Sequence, residues 1–495
     1  MYKNRKHATR ILAVTISLVL AFGLTPSLAF ADDAVSVVEA DEQVVAEQVA
    51  GEVAESELAD EAFAEEIEEP AVPEMSTTDK IAPQAKEPRA NSTEIDSSSY
   101  ATATVNGWYC DFNGTTVNIL GYSGASTSAT VPNTITYEGT VHKVTYIRLY
   151  NNKLKQLTIG SASVTYIDIE STSLTTLSLG SKAQLATFWL WAPNLTRLSL
   201  GSLPKLTKLD VSYSKLTQLD VSKCQALSTL DCSKNKLAKL TLGNKPKLRN
   251  LYCSFNKITS LNLSSCPVLV DFAAWNNCLT ALNVSKCPRL RYLDCDSNYI
   301  KTLTLGNTRE LQRIYCTNNK LKKLNLNSQK ALRVLVCSYN QLTKLNVSKS
   351  PELQALECSY NKLKKLSLTK VKKLQVLYCS FNQIKTLNIK KNNELRILAC
   401  ANNKLKSLNT NKNKKLLALG CQYNEIKKLT LKKNRALQYL DCHNNELKSL
   451  SLNKNKYLDE VYCYANKIRG ANWNKLVKWR DTNLYWVYAV IGPQR

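Results

Sequence analysis

The sequence predicts a solenoid: parallel β strands stacked in a curved superhelix, with few or no helices and a cap at each end. Three observations predict it. Cysteine recurs at a step of 21 from Cys232 and Cys253 through Cys295, Cys316, Cys337, Cys358, Cys379, Cys400, Cys421, Cys442 and Cys463, with Ala274 on the missing rung. Asparagine recurs three residues after each rung without a break, from Asn235 to Asn466. Finally, the ~400 residues from Ser97 onward exceed the roughly 250–300 at which a single globular core stops growing. A stack of repeats escapes that limit.

One full turn runs Leu227-x-x-Leu230-x-Cys232-x-x-Asn235-x-Leu237-x-x-Leu240-x-Leu242, then a polar loop to Leu248. Leu230 and Cys232 alternate with outward-pointing neighbours, which is the period of a strand with one face inward. Leu240 and Leu242 repeat the pattern on the opposite wall, so each turn should hold two short strands. Asn235 stands at the bend, where its amide can both donate to and accept from backbone groups that the turn would orphan. Less regular turns come first, at Leu149 with Asn152 and Leu154, Ile169 with Leu174, Leu190 with Leu195, and Val211 with Leu216. Residues 147–469 then make about 16 turns, roughly 75 Å long at about 4.8 Å per strand. A longer period is visible too: Val221-Ser222-Lys223-Cys224, Val284-Ser285-Lys286-Cys287 and Val347-Ser348-Lys349-Ser350 lie 63 residues apart. Duplication of a three-turn block accounts for it.

The flanks divide by composition. Residues 1–31 read as an export signal, with Lys3, Arg5, Lys6 and Arg10 before the apolar run Ile11 to Leu24 and a small-x-small site at Ala29-Phe30-Ala31. Residues 32–97 form an acidic, aromatic-poor stretch with a net charge of −17 to Asp96, expected to be a disordered stalk. Residues 98–146, punctuated by Gly121, Gly124, Pro132 and Gly139, should form an N-terminal β cap. Residues 470–495 should close the other end with Trp473, Trp479, Trp486 and Tyr488. No second long apolar run and no wall-sorting motif follow. The expected location is therefore outside the cell, secreted or held non-covalently on the surface, with no transmembrane span after signal removal.

Catalytic and metal chemistry find little to work with. Beyond the signal there are two histidines, His142 and His443, on distant turns, where both read as solvated surface residues. A histidine triad or multi-histidine zinc site is thus excluded, and no cofactor motif is present. The eleven ladder cysteines take a leucine position facing inward, where they act as small hydrophobes rather than as disulfides or metal ligands. Cys266 and Cys287 share an outer loop column on neighbouring turns, so an exported chain can either pair them or leave them reduced. Cys110, Cys224 and Cys278 carry no assigned role.

Binding chemistry is richer. The residue before each rung should point onto the concave face, and that column cycles through acid, tyrosine and small residue: Asp231, Tyr252, Asp294, Tyr315, Glu357, Tyr378, Asp441 and Tyr462. Two places after the rung stand Phe255, Tyr339, Tyr360, Phe381 and Tyr423, with Trp275 one place out of line. Aromatic rows rimmed by carboxylates suit sugar stacking or protein hot spots, and they equally serve as a cover for the sheet. From Ser97 onward the net charge is +39. Its lysines crowd the outer strand and loop columns, as at Lys364-Lys365 and Lys427-Lys428. Such a field concentrates polyanions. Nucleic acid is the unfavoured candidate because recognising it takes more than charge, and an exported chain meets cell-wall polymers first.

The cysteine-for-leucine ladder at 21-residue spacing resembles the internalin J type of bacterial leucine-rich repeat across Leu149 to Lys467. The segment with Asn113-Gly114-Thr115-Thr116 and Gly121-Tyr122-Ser123-Gly124 resembles the leader that precedes BspA-type repeats. The resemblance implies a curved leucine-rich-repeat solenoid on, or shed from, a Gram-positive surface and engaged in adhesion to a host or bacterial surface protein or glycan, not an enzyme. The sorting signal and mucin-binding modules of internalin J-like proteins have no counterpart here. The rival expectation is a structural coat protein with no specific ligand.

Overall fold

The 21-residue step becomes an in-register parallel ladder. In the computed structural model, which describes residues 101–150, 153–483 and 488–492, strand Thr229–Asp231 pairs with Asn250–Tyr252, setting Leu230 beside Leu251 and Asp231 beside Tyr252. The same register carries from Tyr166–Glu170 to Glu460–Tyr462, and Tyr488–Val490 adds a last parallel strand. This long sheet has 21 strands among the described residues. Its inward side chains, with those of the opposite wall, form one continuous core from Trp108 to Ile491. All eleven ladder cysteines are fully buried in it.

Asparagine closes each turn. Asn340 Nδ2 donates to the carbonyls of Cys316, Cys337 and Ser338 at 2.8, 3.2 and 3.1 Å, and its Oδ1 accepts the Leu321 amide at 2.9 Å. One side chain thus ties two turns together and satisfies an amide that no ladder bond reaches. Ten of the twelve asparagines are buried; Asn235 and Asn424 are half-buried. Cysteine adds a weak link, since Cys295 and Cys316 Sγ lie 3.4 and 3.5 Å from carbonyls one turn on.

The opposite wall is more broken than the expectation of two strands per turn. A four-stranded sheet (Ser128–Val131, Gln156–Ile159, Thr176–Gly180, Arg197–Leu200) gives way to isolated two-strand pairs such as Leu366–Ser367 with Leu387–Asn388. Asn262, Asn283, Asn346 and Asn388 each accept the amide two residues on, at 3.0 to 3.2 Å. These side-chain turns end the outer-wall strands at a fixed position and keep them short.

A second buried column lies in the outer loop, at a step of 21 from Cys224 through Lys245, Cys266, Cys287, Thr308, Gln329, Ser350 and Val371 to Asn392, Asn413, Asn434 and Asn455. Its later members repeat the donating half of the asparagine device: Asn413 Nδ2 donates to Ile389 O at 3.1 Å and Asn392 O at 2.7 Å. Lys245 does the same with an ammonium, donating to Val221 O at 2.8 Å, and burial lowers its pKa.

Both ends are covered. At the front, Ala101–Val105, Trp108–Asn113 and Thr116–Tyr122 form an antiparallel meander. Thr140–Tyr150 pairs antiparallel with Thr134–Tyr137 and then parallel with Tyr166–Glu170, so cap and first turn share one strand across the expected boundary at 146. Asn152 lies outside the described residues. At the back, helix Ala471–Asn483 buries Leu476 and lays Trp473, Val477 and Trp479 against the core. Trp486 and the Tyr488 side chain fall outside the description. No described helix is long and apolar enough to cross a membrane.

Candidate binding surfaces

The outward face of the long sheet carries the column one residue before each cysteine, but that column is less open than its sequence suggests. Tyr315 and Asp441 are buried, and Asp231, Tyr252, Asp294, Glu357, Tyr378 and Tyr462 are half-buried. In mid-stack the reason is the neighbouring outward column, two residues earlier, which turns apolar there. Val334, Ala355, Val376 and Ile397 join Val336 and Tyr315 in a second apolar cluster, with Tyr292 and Tyr378 packed on it. The acid–tyrosine cycle alone did not show this cluster, because its signal sits in the column beside it.

Acidity gathers at one place on this face. Tyr292 Oη donates to Asp294 Oδ2 at 3.2 Å, and the Asp296 amide donates to Asp294 Oδ1 at 3.1 Å. Loss of hydration raises the Asp294 pKa to about 6; lost hydration and the charge of Asp294 raise that of Asp296 well above the usual carboxylate range.

Two residues after each rung the backbone turns left-handed. From Tyr213 to Ala465, thirteen successive non-glycine residues at this position hold φ between 50° and 58°. Each such residue costs about 1–2 kcal/mol, and the ladder holds it there: the Tyr339 and Asn340 amides donate to Ser359 O and Tyr360 O of the next turn, at 3.1 and 3.2 Å. This fixed backbone aims the side chains along the sheet edge in register. Tyr339, Tyr360 and Phe381 therefore stack, with ring centroids 4.2 and 4.1 Å apart and planes within 10°. The three are 47%, 38% and 41% exposed, and Tyr423 is exposed further along. Phe255 and Trp275, both half-buried, meet edge to face at 4.1 Å, which brings the out-of-line tryptophan into the row.

The histidines are not the solvated residues expected. His142 is buried beside Phe112, ring centroids 4.8 Å apart. His443 is buried against Tyr464 and Tyr423, and its Nδ1 lies 2.5 Å from Asp441 Oδ1. Sequence spacing hides this because the partners come from adjacent turns and from the residue two places back.

Lys364, Lys365, Lys427 and Lys428 are all exposed, and Lys427 lies 4.0 Å from Glu446. Cys266 and Cys287 do share the outer loop column, as free, fully buried thiols, and Cys224 belongs with them. Burial pushes their pKa values up, to about 11 for Cys224 and Cys266 and about 12 for Cys287. Cys110 is buried in the front cap, and Cys278 is half-buried.

No protein-family model and no curated protein matches the chain. Among solved structures it is similar to the functional domain of InlJ from Listeria monocytogenes, which includes a cysteine ladder, with 31% identity and a TM-score of 0.48. That match covers 54% of this chain and 64% of the other, less than two thirds of its length. A leucine-rich-repeat protein of Leptospira interrogans matches at 22% identity and a TM-score of 0.51, over 65% of this chain and 90% of that one. The leucine-rich-repeat ectodomain of a plant membrane receptor kinase from Arabidopsis thaliana matches at 19% identity and a TM-score of 0.50, over 78% and 54%. The last two share this chain's fold. None bears on the BspA-like leader expected around residues 113–124.

Proposed function

We propose that this chain, a leucine-rich-repeat solenoid by fold, is an exported binding protein that recognises a protein or glycan along the aromatic side of its long sheet. Lysines on its other faces hold a cell-wall polyanion, which keeps it at the cell surface. The observation that carries the first half is the Tyr339–Tyr360–Phe381 stack. It is a rigid apolar platform, already ordered, of the kind on which sugar rings and protein hot spots settle without further loss of side-chain freedom. Asp294, Asp296 and Glu357 on the adjoining face supply hydrogen-bond acceptors.

Arrays of glycans and of host and bacterial surface proteins, probed with the purified chain, test this reading. Binding through the stack should survive physiological salt, because buried aromatic area supplies its free energy. Tyr339→Ala with Phe381→Ala should abolish that component and leave polyanion binding in place. Reversing Lys364, Lys365, Lys427 and Lys428 to glutamate should do the opposite. If the aromatic variant keeps every salt-resistant interaction of the parent, the rings only cover the sheet edge. The coat-protein reading, which the mid-stack apolar cluster favours, then takes over.

A further inference from the structure

Read by turn, the lysines stop looking diffuse. Lys349, Lys370, Lys391, Lys412, Lys433 and Lys454 occupy one column at a step of 21, one on each of six successive turns, and all six are exposed. A second column, from Lys364 through Lys427 to Arg469, places another exposed cation on each of six turns. On the six preceding turns the same position holds four neutral residues, Asn244, Ser265, Asn307 and Ser328, and two isolated lysines, Lys223 and Lys286.

Like charges stacked in register oppose folding, and elsewhere this solenoid neutralises them. Lys373 and Lys415 pair with Glu352 and Glu394 one turn away, at 2.5 and 2.6 Å. Among the described residues, none of the six column lysines comes within 4.0 Å of a carboxylate. The second column ends at a cleft of about 520 Å³ lined by Lys448, Lys467, Arg469 and Asn472.

We infer that the C-terminal six turns form a track for a linear polyanion laid along the solenoid axis, one cation meeting it about every 4.8 Å over roughly 24 Å. The partner is a polyol phosphate chain. Lysine is a rotatable point charge that asks for no bidentate geometry, which suits a flexible polymer. Of the loops that carry the first column only the last holds an aromatic residue, Tyr457, so there is no row on which successive bases could stack, as single-stranded nucleic acid binding requires. This inference rests on the polyanion half of the proposed function and gives it a place, a direction and a length.

Titrating the full chain with poly(glycerol phosphate) oligomers of defined length tests it. Affinity should climb with length to about the span of six turns and then level off. The slope of log affinity against log salt should be about −4, by analogy with six contacts on a single strand. Lys391→Glu with Lys412→Glu should weaken binding at least about tenfold and flatten the slope to about −3. Lys236→Glu with Lys257→Glu, an equal charge change on exposed N-terminal turns, should cost less than about threefold. Equal losses from the two variants would overturn the track while leaving diffuse polyanion binding intact. No binding by the parent would overturn both. Tighter binding of a sulfated oligosaccharide or single-stranded DNA of equal charge would overturn the assignment to polyol phosphate.

Discussion

Replacing Asn340 by leucine removes four hydrogen bonds, but their loss is not felt equally. Ser338 O keeps the Asn318 amide at 3.1 Å, and Cys337 O keeps Asn361 Nδ2 at 3.0 Å. Cys316 O is left with a longer contact from Asn319, at 3.4 Å. The Leu321 amide has Asn340 Oδ1 as its acceptor in the structure and loses it outright. One orphaned buried donor costs about 1–3 kcal/mol, and one weakened acceptor adds about 1, so Asn340→Leu should destabilise by about 2–4 kcal/mol. Repeat arrays do not always unfold in one step, so a urea midpoint needs a local probe beside it. Hydrogen exchange supplies one: the Leu321 amide should lose protection far more than amides several turns away. The half-buried Asn424, put through the same substitution, should cost less. Wild-type stability with an unchanged Leu321 exchange rate in Asn340→Leu would refute the closure role of this column.

Two further outcomes are expected. In the native protein at pH 8, Cys278 should react with an alkylating reagent well before the buried ladder thiols, whose raised pKa values keep them protonated; rapid labelling of Cys316 or Cys337, or disulfides among them on non-reducing peptide mapping, would contradict this. For Asp294, the folded pKa of about 6 lies above the ordinary 3.8, so between those values the folded state holds a proton that the unfolded state has lost. Its contribution to stability therefore falls as pH rises from about 4 to 6, and Asp294→Asn should raise the urea midpoint at pH 7 with a gain that shrinks by pH 4. A gain independent of pH would place the effect elsewhere.

The cysteine and asparagine columns were legible in the sequence because each position meets the same neighbours on every turn, so one residue type satisfies all of them. The outer loop column was not, although it is just as regular in space. Its members run from Cys224 and Lys245 through Val371 to Asn392, since filling volume and donating to the carbonyl one turn back can be done by thiol, ammonium or amide. Scattered residue types hid a constant role. The binding face was half legible. Aromatics at Tyr339, Tyr360 and Phe381 were evident, but the left-handed backbone that aligns them leaves no mark on composition, since tyrosine, asparagine, serine and alanine all occupy it. The lysine track escaped because adjacent pairs such as Lys390-Lys391 and Lys432-Lys433 catch the eye along the chain, while the partners that matter lie 21 residues apart.

Each closing asparagine reaches a carbonyl 24 residues back and an amide 19 back, so both bonds join adjacent turns at fixed offsets from the step of 21. Removing or inserting a whole step inside the array therefore leaves every such bond able to re-form with an equivalent neighbour, while a gain or loss of 20 or 22 residues breaks the chain of closures at one point. Recombination between repeats is thus tolerated only in whole-turn quanta. Copy number then becomes a dial: adding a lysine-bearing turn extends the charged rail by one rung at constant geometry. Chains that differ only in repeat number would differ in the reach of this surface, with no new contact to evolve.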